Sequence, residues 1–253
     1  MARRQRFRKK SPLPRFLAAR AVVYPALGLL LAVPTVGAWV ALARQVRAVA
    51  PLWMDALPFL AGAVLYLLLQ WVFRRPMTLY VFGHELTHAV AAAFSGYKVK
   101  SLFVSDKGGE VRLSGSNVAV ALAPYCVPIY AVGVLGLYAL VRRYADLAAP
   151  PLWVGAGLGF TLAFHAALTV HALRQDQPDL RQAGRFFSLV LIALANALVL
   201  ALVAKALFPR AVSLAAFRDA WALSTLLLID RGGDALAGIG RWVAAALAGR
   251  RGP

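Results

Sequence analysis

The chain has 253 residues, 61% of them hydrophobic, with a mean hydropathy of +0.68 and a formal net charge of +18. The apolar residues fall in long runs, which is typical of a membrane protein and leaves little chain for a soluble domain. The basic residues lie mostly in the first ten positions and at the ends of these runs, so they predict contacts with anionic lipid and topology signals rather than nucleic-acid binding.

The predicted elements begin with a basic tail, residues 1–20, which its Arg and Lys residues place in the cytoplasm. Six apolar runs follow, each close to the ~20 residues that an α-helix needs to cross the hydrocarbon core. These runs lie at about 21–43, 52–73, 77–95, 117–141, 151–173 and 186–208. The pattern predicts an all-α polytopic membrane protein with about six transmembrane helices.

The basic tail is the first of four predicted regions. The others are two N-terminal transmembrane helices within 21–76, a membrane core at 77–208 and an amphipathic C-terminal region at 209–253. The composition is rich in Ala, and in Arg over Lys, which indicates a GC-rich bacterial genome. We therefore expect an integral, multi-pass protein of the bacterial cytoplasmic membrane.

A polar stretch at 97–116 separates the third and fourth runs. Its segments KVKSLFVS and EVRLS alternate in side-chain character on either side of an Asp-Lys-Gly-Gly sequence at 106–109. Alternation around turn-forming residues is typical of two antiparallel strands. The stretch therefore predicts a small β-hairpin directly after the third helix.

Two later interruptions also have structural meaning. Pro124 and Pro128 are expected to kink the fourth run. The polar segment RQDQPDLRQAG separates the fifth and sixth runs, and a new helix is expected to begin there. Asp176 suits the N-cap of that helix, and Pro178 is tolerated in its first turn.

The C-terminal region carries two amphipathic pieces, at 211–229 and 234–249. Charged residues such as Arg218 and Arg241 interrupt their apolar faces. Such helices are expected to lie in the membrane interface. A seventh span at 211–229 is the alternative.

The third run contains the motif VFGHELTHAVAAA. On a helix, His84 and His88 project from one face, so their imidazoles can bind one Zn²⁺, and Glu85 stands where it can reach a metal-bound water. Zinc lowers the pKa of such a water to about 7, and a glutamate can take its proton and later pass it to the leaving amine. The spacing predicts a catalytic zinc site with Glu85 as the general base.

The membrane setting strengthens this interpretation of the motif. Ionisable side chains within a span cost a few kcal/mol each on insertion scales, and a bound metal compensates for that cost. The alternative is a structural role, in which His84 and His88 form helix-to-helix hydrogen bonds and Glu85 pairs with an arginine.

Zinc needs a third protein ligand, and charge favours a carboxylate, because two neutral imidazoles, one carboxylate and ionised Glu85 balance Zn²⁺ in a low dielectric. A cysteine-rich site is excluded, since Cys126 is the single cysteine. The break before the sixth run offers Asp176 and Asp179. We predict Asp179 as the ligand because it falls inside the first helical turn; Asp176 is the alternative.

Three further polar residues lie in or beside the spans. His165 and His171 are six residues apart on one helix, so they point about 120° away from each other and cannot both face one ion. Hydrogen bonding within the bundle is the default role for both histidines and for Asn117. Supporting a metal ligand or binding substrate is the alternative for each.

These residues resemble a known family, the site-2-protease-like intramembrane zinc metallopeptidases. The segment FGHELTHAVAAAFSGYKVKSL looks like that family's metal helix, glycine and hairpin, and ALAPYCVPIYA is similar to the segment that opens its next core helix. The resemblance covers about residues 77–200. It implies that His84 and His88 are zinc ligands, that Glu85 is the general base and that Asp179 is the aspartate ligand.

The chain also departs from the family pattern. The usual Asn-Pro…Leu-Asp-Gly signature is absent, and the aspartate lies in a Gln-Pro-Asp-Leu sequence whose next glycine is Gly184. No PDZ segment is recognisable, so we expect a minimal, divergent member.

The predicted function is hydrolysis of peptide bonds in membrane or membrane-adjacent protein segments. The expected cofactor is Zn²⁺, and the expected partners are a membrane-protein substrate and the lipid bilayer. A substrate helix must unwind locally, and the hairpin is expected either to bind it as an added strand or to plug the mouth of the site. The alternative function is a non-proteolytic transporter, scaffold or inactive relative that uses the same His and Glu residues for metal or proton binding.

Overall fold

The computed structural model describes residues 14–73, 76–105, 108–145, 147, 150–175 and 177–249. Within these ranges the helices are α1 (Pro14–Val49), α2 (Trp53–Val72), α3 (Met77–Phe94), α4 (Val118–Cys126), α5 (Ile129–Tyr144), α6 (Leu152–Leu173), α7 (Pro178–Arg181), α8 (Arg185–Leu207) and α9 (Leu214–Gly249). A 3-10 turn, Ala50–Leu52, joins α1 to α2, and the strands are β1 (Val99–Ser105) and β2 (Gly108–Leu113). The predicted all-α fold with a hairpin after the third helix is confirmed. The division into four regions stays a prediction, and residues 1–13 of the predicted tail lie outside the described residues.

Three helical segments of the described chain are long and apolar enough to cross a membrane, judged by length and composition: Ala21–Val72, Leu152–Leu173 and Arg185–Leu207. The bent pair α4 and α5 is a fourth candidate when it counts as one span. The first segment has 52 residues and contains two of the six predicted runs. Of those six runs, only α3 is outside these candidates, because its histidine, glutamate and threonine side chains lower its hydropathy.

Glycines allow α2 and α6 to pack closely. Gly155 and Gly159 are four residues apart on α6, and Gly62 lies on the facing surface of α2. A Cβ atom at Gly62 would overlap the carbonyl of Ala156, and one at Gly159 would overlap the carbonyl of Phe59. Small residues at this spacing bring helix backbones together in membranes, where dispersion contacts rather than the hydrophobic effect drive helix association.

This packing predicts opposite effects for the same substitution at two helical glycines. Gly159→Ala should lower the unfolding midpoint in detergent, because the new methyl group meets a backbone carbonyl that cannot rotate away. Gly240→Ala on α9 should raise it slightly, since, outside its own turn of helix, no other described residue lies within 4 Å of that Cβ position and alanine favours a helix by about 1 kcal/mol. Thermal unfolding followed by circular dichroism measures both; a rise for Gly159→Ala would contradict the close packing.

The fourth predicted run is bent at Pro128, as the sequence predicts. The axes of α4 and α5 differ by 73° across a break at Val127 and Pro128, whereas Pro124 lies inside α4. The bend sets α4 apart as a short arm that packs against α3 and α8. It thereby brings Val120 and Tyr125 towards α3.

The hairpin prediction is confirmed, with one difference in its turn. Gly108 and Gly109, predicted as turn residues, are already in β2, where Gly109 pairs with Val104 and Gly108 pairs with Ser105. A Cβ at Gly109 would lie 2.9 Å from the Cγ of Glu85, so the strand can pass this close to α3 only at a glycine. Positions 106 and 107, the other predicted turn residues, lie outside the described residues.

The C-terminal region forms one helix of 36 residues, α9, where the sequence predicts two amphipathic pieces. Gly232 and Gly233 fall inside this helix. A glycine lowers helix stability by about 1 kcal/mol but keeps its backbone N–H, so it does not end a helix as proline does. The helix is outside the span candidates of the described chain, so a seventh span at 211–229 gains no support.

Candidate metal centre

The two histidines of α3 lie side by side on the face that points into the bundle. The centroids of the His84 and His88 rings are 4.8 Å apart, and their planes meet nearly edge to face at 81°. Both side chains are almost buried, with 12% of His84 and 11% of His88 exposed. This arrangement follows from the four-residue spacing, which places the two side chains one helical turn apart.

The third member of the cluster comes from α7. Asp179 Oδ2 lies 3.5 Å from Nε2 of His84 and 3.5 Å from Nε2 of His88. One ligand atom from each residue falls within 4.8 Å of the others, and among the described residues this is the one group of three that is able to hold a metal ion. The structure therefore brings together the three residues predicted as ligands. Asp176, the alternative, lies outside the described residues.

The short helix α7 is held in place by apolar packing. Leu180, next to Asp179, is 3% exposed and belongs to a buried cluster with Leu122, Tyr125 and Ile192. Burial of one leucine contributes about 1.5–3 kcal/mol, more than a helix of four residues supplies by itself. The packing of Leu180 thus fixes the direction of Asp179.

Asp179 lies outside the candidate spans, and its neighbours shift the pKa of its carboxyl group. Burial alone would raise the pKa of Asp179, but hydrogen bonds to His84 and His88 outweigh burial and hold it well below its usual range. The group is therefore ionised at neutral pH, which is the form in which a carboxylate binds a metal.

Two groups from α4 orient the ligands. His88 Nδ1 lies 2.8 Å from the backbone carbonyl oxygen of Val120, which leaves Nε2 to face the cluster. The Tyr125 hydroxyl donates a hydrogen bond of 3.1 Å to Asp179 Oδ2. Such partners fix the tautomer of a histidine ligand and the direction of a carboxylate ligand.

Asn117 and Asn196 support α4. Asn117 is the N-cap of α4, where its Oδ1 accepts a hydrogen bond of 2.8 Å from the backbone N–H of Val120. Asn196 Nδ2 on α8 donates to the Tyr125 carbonyl oxygen at 2.9 Å, so this amide makes a bond between helices. Asn117 therefore braces the turn that presents the Val120 carbonyl; substrate binding by Asn117 stays a prediction.

Glu85 lies beside the cluster rather than in it. It lines a cavity of about 240 Å³ together with Tyr80, His84, Gln175 and Gln177, and Gly108 of the hairpin closes one side. Glu85 is not one of the three residues whose ligand atoms form this group. Glu85 therefore adjoins the ligand group and lines the cavity, and its role as a general base stays a prediction.

The remaining two histidines lie apart from the ligand group. His165 on α6 lines a second, smaller cavity next to His84, and its Nε2 is buried with no hydrogen-bond partner among the described residues. His171 Nε2 lies 3.0 Å from the side-chain nitrogen of Gln175. Their predicted supporting roles stay predictions.

Sequence reasoning missed two tyrosines of the site, Tyr80 and Tyr125. The Tyr80 ring centroid is 5.6 Å from that of His84, and the Tyr125 centroid is 5.4 Å from it. The four-residue interval between Tyr80 and His84 was a usable signal, because it places both on one helical face. No local signal indicates Tyr125, which reaches the site from another helix.

Comparison with known proteins agrees with this geometry. Residues 57–174 match the family model described as Peptidase M50B-like. This match, over 118 of the 253 residues, supports a site-2-protease-like family member. The predicted resemblance is thereby confirmed, and no curated protein and no solved structure matches the chain significantly.

The M50B-like segment contains only part of the candidate site. It includes α3 with His84, Glu85 and His88, as well as the hairpin and the arm α4. It ends before Asp179, so the place of Asp179 in the site rests on the geometry of this structure.

Proposed function

We propose that the chain is a zinc metallopeptidase of the membrane that hydrolyses peptide bonds in membrane or membrane-adjacent segments of other proteins. The observation that carries this proposal is the convergence of His84 Nε2, His88 Nε2 and Asp179 Oδ2 within 4.8 Å, with Glu85 on the adjoining polar cavity. The match of residues 57–174 to a peptidase family model supports the same reaction. From the composition, we also propose that this membrane is the bacterial cytoplasmic membrane.

The donor set fits zinc. Two imidazole nitrogens and one carboxylate oxygen are a ligand set that catalytic zinc sites use. Zinc bound by these residues would supply Lewis acidity, and it would lower the pKa of a water molecule to about 7. His84, His88 and Asp179 would hold it, with Val120 and Tyr125 keeping two of the three ligands in position.

Glu85 transfers a proton from the attacking water to the leaving amine. Gln175 and Gln177 line the same cavity as Glu85, and their side chains can form hydrogen bonds with a water molecule there. The Glu85 carboxylate takes a proton from the attacking water and afterwards gives it to the leaving amine, so the enzyme returns to its starting state.

The hairpin is the element placed to hold an unwound substrate chain. It lies against α3, and Gly108 lines the same cavity as Glu85. Each strand of a two-stranded sheet has one edge without a strand partner, and an extended peptide can add to such an edge.

Proline substitutions in β1 test this role. Val99→Pro or Phe103→Pro should reduce cleavage about 10-fold or more, because proline removes a backbone donor and disrupts pairing along the strand. The Phe103 side chain is 66% exposed, so Phe103→Ala, which keeps the N–H, is the matched control and should have a smaller effect. Cleavage rates of a labelled substrate measure the difference; full activity in both proline variants would count against strand addition and favour a hairpin that only covers the site.

The proposed activity is tested with the purified chain in nanodiscs. We expect about one zinc ion per chain by mass spectrometry, and cleavage of labelled, unfolded casein or of single-span membrane proteins that a chelator stops and added zinc restores. Zinc binding without cleavage of any of these substrates would favour the non-proteolytic alternative.

A further inference from the structure

Two glutamine side chains line the cavity that contains Glu85. They are Gln175 and Gln177, which come from the segment between α6 and α7, whereas Glu85 and His84 come from α3. The cavity has a volume of about 240 Å³, and a single water needs only about 10–15 Å³ measured in this way. It therefore has room for part of a peptide chain as well as for the attacking water.

Pro178 separates Gln177 from the helical turn that carries Asp179. A residue before proline is restricted to extended conformations, and Gln177 has φ −89° and ψ 125°. Gln177 is thus the N-cap residue of α7, but its side chain forms no capping hydrogen bond. Capping, the usual structural role of a polar side chain at this position, is therefore not the role of Gln177.

The amide groups of the two glutamines lie next to each other. Gln177 Nε2 donates to Gln175 Oε1 over 3.4 Å, which is long for such a bond, and Gln175 Nε2 lies 3.0 Å from Nε2 of His171. A glutamine amide has one acceptor oxygen and two N–H donors. Among the described residues Gln177 uses only one of these donors, so it keeps its oxygen and one N–H for a bound molecule.

A peptide backbone offers the matching groups, because each residue other than proline has one N–H donor and one C=O acceptor. An extended segment that pairs with the hairpin along one edge still has these groups unpaired along its other edge. Within a membrane an unsatisfied backbone group is costly, because no water takes the place of the missing partner. Gly108 of the hairpin lines the same cavity as the glutamines, so one peptide segment can contact both.

We propose that Gln177, with Gln175 beside it, binds the backbone of the substrate along the edge that the hairpin leaves free. This inference rests on the proposed peptidase function and deepens it, since the substrate is then an unwound, extended segment recognised through its peptide groups rather than through a particular side chain. Glu85 and His84 line the same cavity as the glutamines, so a backbone bound here lies in the space where the water is activated. Gln177 binds and orients the substrate and takes no part in the proton transfer.

Peptides with one backbone ester test the hydrogen bond directly. An ester in place of a peptide bond removes its N–H, and a set of peptides carries the ester at each bond within three residues of the scissile bond. Binding is measured by fluorescence anisotropy on the zinc-loaded Glu85→Gln chain, which does not consume the peptide. A neutral hydrogen bond contributes about 3- to 10-fold in affinity, so one ester should bind more weakly than the parent peptide by that factor.

The same ester should lose no affinity relative to its parent when Gln177→Ala is added to the Glu85→Gln chain, because the acceptor oxygen is then absent. On the active chain, Gln177→Ala should lower kcat/KM by about 3- to 10-fold, with zinc content and unfolding midpoint unchanged. Gln182→Ala is the matched control, because it removes a glutamine amide from the same segment and Gln182 is not among the described residues that line the cavity. It should match wild type in every measurement.

Two outcomes would overturn the substrate-binding role of Gln177. The first is an equal effect of every ester on both chains, with Glu85→Gln inactive, which leaves the peptidase function standing. The second is loss of zinc or a lower unfolding midpoint in Gln177→Ala, because the side chain would then support the fold or the metal ligands. Failure of the proposed function shows differently, as cleavage that is absent from the wild-type chain, and it would refute this inference as well.

Discussion

Glu85→Gln is expected to abolish peptide cleavage while the chain keeps its zinc. Glu85 stands outside the group of three ligand atoms and faces the polar cavity, so its replacement leaves the donor set unchanged. Glutamine has nearly the same shape, but its amide cannot accept the proton of the attacking water. General-base catalysis contributes about 100- to 10,000-fold in rate, so cleavage should fall by at least that amount.

The measurement pairs zinc content with the rate of casein cleavage on the same preparation. Asp219→Asn on α9 is the matched control, because it converts an exposed carboxylate, paired with Arg218 at 2.8 Å, to an amide far along the chain from the site. It should change neither quantity. Cleavage by Glu85→Gln at the wild-type rate would exclude Glu85 as the general base.

Asp179→Ala is expected to lose zinc and, with it, all cleavage. The substitution removes one of three ligands and leaves a divalent ion with two neutral imidazoles at a largely buried site, where an uncompensated charge is costly. The affinity should therefore fall by more than the roughly 10- to 100-fold that loss of an outer hydrogen-bond partner produces.

Tyr125→Phe supplies the comparison, because it removes only the hydrogen bond that orients Asp179. Its zinc affinity should fall within the range of about 10- to 100-fold. Competition with a fluorescent chelator measures both constants. Zinc retained at wild-type affinity by Asp179→Ala would place the third ligand elsewhere, and Asp176→Ala would then be the next variant to measure.

Much of the architecture could be predicted because it depends on short-range patterns. Runs of about 20 apolar residues indicate membrane helices whatever their neighbours are, and alternation around Gly108 and Gly109 indicates a hairpin. Pro128 ends α4 for a local reason, since it has no backbone N–H to donate. The single helix α9 was not predicted, because the penalty of Gly232 and Gly233 is too small to end a helix.

The sequence by itself determined the resemblance to the peptidase family, the helix that carries His84 and His88, and the preference for a carboxylate as the third ligand of a metal ion. The four-residue spacing puts His84 and His88 on one face of any helix, and the charge of a divalent ion in a low dielectric calls for an acidic partner. Neither argument distinguishes Asp179 from Asp176, which are three residues apart.

Only the tertiary structure decided what surrounds α3. Asp179 reaches His84 and His88 because Leu180 is buried among residues of α4 and α8, and the Val120 carbonyl meets His88 because the bend at Pro128 turns α4 towards α3. These contacts join residues that are 32 or more positions apart. Their physical origin is the packing of whole helices, which no local pattern of residues contains.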